Sequence, residues 1–144
     1  MNFKVENESL PPAVNKYLNK YSDFKWELEW NYNEDITTAI IVPVIKEFNN
    51  IKKLLSSLSE NDSEYYAQTL IIFVVNNPES SPENIISDNE KTISFIRYLI
   101  SSEDPPDSTA VLIKKSGLQT ALVDASGREK GFPQKTAGVG LARK

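Results

Sequence analysis

Two short runs of almost continuous apolar residues dominate the hydrophobic pattern of this chain. Residues 36–44 read ITTAIIVPV, and residues 69–75 read TLIIFVV. Both runs have strand length and many β-branched side chains, which is typical of strands that are covered on both faces of a sheet. Residues 111–113 and 118–123 predict two shorter strands around a Lys-Ser-Gly turn.

Helical periodicity lies between these predicted strands. Residues 47–58 place one apolar stripe at helical spacing, formed by Phe48, Ile51, Leu54, Leu55 and Leu58. Ser87 and Glu90 have the spacing of a capping box, which predicts a helix after them. The alternation of strands and helices predicts an α/β fold with a doubly wound, mostly parallel sheet.

The first 35 residues have a different pattern and are predicted to form an N-terminal extension. Pro11 and Pro12 favour the start of a short helix. A row of apolar side chains then alternates with polar ones at Phe24, Trp26, Leu28 and Trp30. This row predicts a strand, which is either a platform for a carbohydrate or an edge element that packs its rings on the core. Its acidic neighbours argue against nucleic acid as a partner.

The composition excludes several kinds of catalytic and metal site. The chain has neither cysteine nor histidine, which excludes disulfides, thiolate nucleophiles, Ser-His-Asp triads and imidazole metal ligands. No apolar run approaches the roughly 20 residues that span a bilayer, and the N-terminus lacks the apolar segment of a signal peptide. We therefore expect a cytoplasmic protein without a membrane span.

Charge and glycine are concentrated in different parts of the chain. Residues 1–110 carry 9 Lys and Arg against 18 Asp and Glu, whereas residues 111–144 carry 7 against 2. All five glycines, at positions 117, 127, 131, 138 and 140, lie in the basic segment. A basic, glycine-rich segment is typical of a phosphate site, and a flexible basic tail is the alternative.

The predicted strands end in polar or specially shaped segments, at residues 43–47, 76–77 and 124–127. In a parallel sheet the carboxyl ends of the strands meet at one side, where ligands bind. We therefore expect these three segments to lie close together.

Four stretches of the chain resemble the N-terminal half of family-2 glycosyltransferases, which have a Rossmann-like fold of the GT-A type. They are IIVPVIKEFNNIKKLLSSL, LIIFVVNNPES, DASG and GVGLARK, in that order. The resemblance covers residues 36–144 and implies a partial nucleotide-binding domain. It implies a donor-nucleotide pocket formed by Pro43, Glu47, Asn76, Asn77, Asp124, Gly138, Gly140 and Arg143.

The resemblance assigns roles to some of these residues. Asn76 stands where the family commonly has an Asp that accepts a hydrogen bond from the uracil imide, and Asn77 follows as a loop or ribose contact or as part of a turn. Gly138 and Gly140 allow close backbone approach to the donor diphosphate, and Arg143 adds charge there. Ile45 and Lys46 differ from the Tyr and Asn that are usual in the family.

The resemblance also implies what this chain lacks. The complete enzyme uses Mg²⁺ or Mn²⁺ held by an Asp-x-Asp, and no acidic residue follows Glu129. We therefore expect the donor-binding half of an enzyme that transfers a sugar to an acceptor hydroxyl, with weak binding of a UDP- or GDP-type nucleotide-sugar and no catalysis. The alternatives are a non-catalytic nucleotide- or phosphate-binding module and a protein-interaction module. An uncovered sheet edge would favour a homo-oligomer.

Overall fold

A computed structural model of the protein describes residues 10–20, 25–101, 103–133 and 142. The helices and strands are, in chain order, α1 (Pro12–Lys20), β1 (Leu28–Glu29), β2 (Thr38–Val44), α2 (Phe48–Ser59), a 3₁₀ helix (Ser63–Gln68), β3 (Thr69–Asn76), α3 (Glu83–Ile100), α4 (Ser108–Lys115), β4 (Gln119–Ala125) and a single turn, α5 (Gly127–Lys130). The predicted helix at Pro11 and Pro12 and the predicted strands at 36–44, 69–75 and 118–123 are confirmed.

The strands form one open, mixed sheet in the order β1-β4-β3-β2. Strands β2, β3 and β4 are parallel, and β1 pairs antiparallel with β4. Val44 lies beside Val75, and Val75 lies beside Asp124, so the three parallel strands end at the same level. The predicted α/β class and the pairing of the two apolar runs are confirmed.

The main core lies between one face of this sheet and helices α2, α3 and α4. Ile51 of α2, Ile96 of α3 and Ile113 of α4 belong to one buried cluster with Phe73 and Leu122 of the strands. Since the parallel strands also follow one another in chain order, the described crossovers place their helices on the same face. This arrangement differs from the predicted doubly wound one, in which helices cover both faces.

The opposite face carries a smaller cluster near the carboxyl end of the sheet. Val74, Ala125, Phe132 and Ala142 are buried there, and Trp26 packs against them. The rings of Trp26 and Phe132 meet edge to face at 4.9 Å between centroids. The N-terminal segment thus contributes to the second face.

Two local predictions are wrong. Residues 111–113 lie inside α4 rather than in a strand, because Asp107 caps a helix there by accepting a hydrogen bond from the Ala110 amide at 2.9 Å. Ser87 does not begin a helix, since α3 begins at Glu83, directly after Pro82. A proline at the helix start fixes φ where no intrahelical donor is needed.

The sequence predicts that strand β2 is covered on both faces of the sheet, but the structure leaves much of it exposed. Residues 38–41 are exposed, with Ile40 at 48% and Ile41 at 45% of their accessible surface. Among the described residues no strand pairs with the outer side of β2. We call this side, residues 38–41, the open edge.

The other edge of the sheet, at β4, is covered by residues 25–31, and we call it the closed edge. The predicted aromatic strand is reduced to the two residues of β1. Lys25 and Trp26 donate to the carbonyls of Glu129 and Lys130 at 2.7 and 2.6 Å, and Asn31 donates to the Ile100 carbonyl. Phe24 lies outside the described residues. No helix in the described part of the chain has the length and apolar character that crossing a membrane requires.

Candidate functional site at the carboxyl end of the sheet

The three parallel strands end in loops that are held together by side chains of the loops themselves. The side chain of Asn76 donates hydrogen bonds to the carbonyls of Val44 and Val74 at 3.1 and 3.2 Å, which ties the end of β3 to the end of β2. The backbone N–H of Asn77 donates to the backbone carbonyl of Ala125 at 3.4 Å. The predicted convergence of these strand ends is confirmed.

Asn76 is 2% exposed, and only half of its side-chain amide is satisfied. While its Nδ2 donates twice, its Oδ1 is buried and accepts no hydrogen bond from the described residues. Buried amide oxygens nearly always accept a hydrogen bond from protein or water, so this oxygen has the capacity to accept one more donor. Pro43 of β2 lies beside Val74, two residues before Asn76 in β3.

Asn77 is fully buried and joins the loop after β3 to the loop after β4. Its Oδ1 accepts hydrogen bonds from the Ser126 hydroxyl, the Gly127 amide and the Asn89 side chain at 2.7, 2.9 and 3.2 Å. Its Nδ2 donates to the carbonyls of Pro78 and Gly127. These contacts support the interpretation of this segment as a turn, and a ribose contact from the Asn77 side chain would have to displace them.

Helix α3 supplies two polar residues that organise the loop between β2 and α2. The side chain of Asn89 accepts a hydrogen bond from the backbone N–H of Lys46 at 2.9 Å and donates one to the backbone carbonyl of Asn76 at 3.0 Å. The N-cap residue of α2, Glu47, makes no capping hydrogen bond with its side chain. Asp88 of α3 takes over this role and accepts from the backbone N–H of Phe48 at 3.1 Å. Lys46 adopts a left-handed backbone with φ of 53°, and the hydrogen bond that its N–H donates to Asn89 holds it in this unfavourable conformation.

Sequence reasoning missed Asp88 and Asn89. The available signal was an asparagine on the side of α3 that carries its apolar residues, where a buried amide needs partners. Glu47 itself is exposed, and its carboxylate accepts from the Asn50 side chain.

Asp124 lies at the end of β4 in a group of four charges. Its carboxylate accepts from Arg97 at 3.2 Å and from Lys130 at 3.1 Å. Arg97 also holds both oxygens of Glu29, at 2.9 and 2.7 Å, so it connects β1 with β4. The hydrogen bonds that Arg97 donates to Glu29 hold the pKa of Glu29 below its ordinary value and raise the pKa of Arg97.

An open cleft of about 490 Å³ lies between α3, the end of β4 and α5. Three cationic and three anionic side chains line it, namely Arg97, Arg128, Lys130, Glu90, Asp124 and Glu129. Ser94, Ser126 and the Gly127 backbone add hydrogen-bonding groups. A second hollow of about 260 Å³ lies on the other side of Asp124 and Lys130, against Trp26 and Glu29. The volume of the first cleft lies in the range of small-molecule sites.

The segment after β4 meets the loop after β3 through one close backbone approach. A Cβ at Gly131 would lie 2.6 Å from the Gly127 carbonyl oxygen and 2.9 Å from that of Asn77. Phe132 continues the contact, since its amide donates to the Asn77 carbonyl at 2.8 Å and its carbonyl accepts from the Glu79 amide. Glycine at 131 is therefore required for the two loops to meet.

Three of the predicted site residues, Gly138, Gly140 and Arg143, lie outside the described residues. Pro43, Glu47, Asn76, Asn77 and Asp124 all lie at the carboxyl end of the sheet. Within the described ranges, no three acidic side chains are grouped closely enough to hold a metal ion. Comparisons of the chain with family models, curated proteins and solved structures find no match.

Proposed function

We propose that this chain binds the nucleotide of a nucleotide-sugar at the carboxyl end of its sheet, as the donor-binding half of a family-2-like glycosyltransferase. In the complete enzyme, Mg²⁺ or Mn²⁺ would offset the charge of the leaving diphosphate. The proposal rests on the resemblance of residues 36–144 to that family and on the geometry of the strand ends. This chain would supply binding and orientation of the donor.

The observation that carries the proposal is the Oδ1 of Asn76, which accepts no hydrogen bond from the described residues. It sits on a side chain that ties β3 to β2, at the position where the family accepts an imide N–H. Because this oxygen is buried, an N–H donor on a bound base would reach it only when the strand ends open, and an uncharged amide makes a weaker acceptor than a carboxylate. Weak binding of the base is therefore expected.

The phosphates would be attracted by the cations of the cleft. Arg128 is paired only loosely with Glu83, at 3.5 Å between two exposed side chains, so it can turn towards an anion. Lys130 is exposed but contacts Asp124, and a phosphate would compete with this carboxylate. Because the six charged side chains of the cleft balance, we expect a dissociation constant of about 1 mM, or about −4.1 kcal/mol.

The test is an NMR titration of the chain with UDP, uridine and inorganic diphosphate. Uridine is expected to shift the side-chain amide signals of Asn76, and diphosphate the backbone signals of Ser126 and Gly127. UDP is expected to shift both sets at lower concentration than either part. If UDP leaves these signals in place, or if the shifts map to another part of the chain, the proposal is wrong.

Two matched variants separate a specific phosphate contact from general attraction by charge. The double substitution Arg128→Gln with Lys130→Gln is expected to weaken UDP binding about tenfold and to leave uridine binding unchanged. The double substitution Lys53→Gln with Lys115→Gln removes the same charge from exposed lysines of α2 and α4 that do not line the cleft, and it serves as the control. An equal loss in both variants would show attraction by net charge without a phosphate site.

A second candidate is a non-catalytic phosphate-binding module. The observation that favours it is the set of contacts at Asn77, whose side chain is occupied within the protein and offers no free group to a ribose. Under this alternative, diphosphate shifts the signals of Ser126 and Gly127, while uridine leaves those of Asn76 unchanged. The same titration therefore distinguishes the two candidates.

A further inference from the structure

The open edge of the sheet is an apolar feature that the nucleotide proposal does not use. Strand β2 pairs with β3 along its whole length, and the described part of the chain provides no strand on its outer side. Ile40 and Ile41 point to opposite faces of the sheet, and each is nearly half exposed. A strand added here would cover apolar side chains on both faces.

The backbone of the open edge can pair with a strand, and a helix or a loop would not match its hydrogen-bonding groups in the same way. An edge strand has N–H and C=O groups that another strand can pair. Natural edges are commonly protected by charged side chains, yet residues 36–45 contain none. Pro43 is the one protective feature in β2, and it lies near the end of the strand.

We propose that a second copy of this chain occupies the open edge, with the two β2 strands antiparallel about a twofold axis at Ile40. A twofold axis perpendicular to a continuous sheet keeps the two faces apart, so each residue opposes a residue of the same face. Pro43 has no N–H and limits the new ladder to residues 38–42. Ile40 is the midpoint of these five residues.

The charges that flank β2 favour an antiparallel second copy. Glu34 and Asp35 lie in a turn before β2, and Lys46 follows the strand with a left-handed backbone, so none of them continues the ladder. Antiparallel pairing brings the acidic turn of one copy towards the partner's Lys46, and the symmetry gives this contact twice. Glu34 and Lys46 are exposed in the single chain. This charge complementarity supports a second copy as the occupant, and the register rests on the span of residues 38–42.

The first test is the oligomeric state over a concentration series, measured by sedimentation velocity. The unmodified chain is expected to form a dimer, and Ile40→Lys is expected to raise the dissociation constant at least about tenfold because it buries a charge at the axis. Ile40 is half exposed, so circular dichroism of Ile40→Lys should remain native. A monomeric unmodified chain at the highest concentration, or a dimer unaffected by Ile40→Lys, would overturn the proposal.

Single cysteine substitutions test the register. The chain has no cysteine of its own, so any disulfide that forms must join the introduced residues. Residues directly opposite in antiparallel strands have Cβ atoms about 4.5–5.5 Å apart, close enough for a disulfide after small adjustments. Ile40→Cys is therefore expected to form a disulfide-linked dimer faster than Ile41→Cys, its matched control. Faster linkage at position 41 would contradict the register.

A charge exchange tests the flanking pairs independently of the apolar contact. Glu34→Lys and Lys46→Glu should each weaken the dimer, and the double variant should restore it. Loss without restoration in the double variant would show that these residues do not face each other. None of these measurements depends on nucleotide binding, so the failure of one proposal leaves the other standing.

Discussion

The two edges of the sheet differ in how far other residues cover them. At the closed edge, Trp26 packs on Phe132, and Arg97 bridges carboxylates of β1 and β4. At the open edge, Ile40 and Ile41 are nearly half exposed and no described strand lies beside them. The charged cleft adjoins the closed edge, where polar contacts fix side-chain orientation. A small-molecule site needs such fixed groups, whereas an open apolar edge offers backbone pairing to another strand.

The largest effect is expected where the loops beside the closed edge are joined. Asn77→Ala removes five hydrogen bonds and leaves the Ser126 hydroxyl, the Gly127 amide and the Asn89 side chain without this acceptor. Unfolding by urea should show a loss of about 3–4 kcal/mol in the free energy of unfolding. The exposed Asn61→Ala is the control, with a change within about 0.5 kcal/mol. Equal effects would mean that Asn77 does not hold the loops together.

The comparison of the edges is sharpened by one apolar truncation at each. Trp26→Ala loses the ring contact with Phe132 and the hydrogen bond to the Lys130 carbonyl, and it should cost about 2–3 kcal/mol of unfolding free energy. Ile40→Ala, measured at a concentration where the chain is monomeric, should cost less than about 1 kcal/mol. A reversed order of these two values would remove the distinction between the edges.

The smallest effect concerns pH. Arg97 lowers the pKa of Glu29 in the folded chain, so the stability that this pair contributes is present above pH 4.5 and is lost as the pH falls through the folded pKa. Both side chains are more than one third exposed, which limits the effect to below about 1 kcal/mol. Glu29→Gln should flatten the fall in unfolding free energy between neutral and acidic pH. The exposed Glu60→Gln should retain that fall, and an unchanged slope in Glu29→Gln would contradict the expectation.

The sequence predicted the parallel core of the sheet because its strands are continuous and β-branched. Prediction failed where a local pattern was overridden by its surroundings. Residues 111–113 have the composition of a strand, but Asp107 caps a helix before them. Ser87 and Glu90 match a capping box, but Pro82 and Glu83 start the helix one turn earlier.

For the candidate site, the sequence predicted which strand ends meet but not which side chains hold them. Asn76 and Asn77 were both candidates for ligand contact, and their different surroundings depend on contacts with distant residues. Asn77 is 49 positions before Ser126, and Arg97 is 68 positions after Glu29. Pairings over such distances follow from the register of the sheet, which periodicity alone does not give.

The most direct test of this division between the edges is one set of ¹H–¹⁵N NMR spectra, recorded on dilution and on addition of UDP. We predict that dilution changes the signals of residues 38–42 and leaves those of Asn76, Ser126 and Gly127 in place. We predict that UDP does the reverse. If dilution and UDP move the same signals, or if UDP acts on the open edge, the two edges do not have separate roles and the account is wrong.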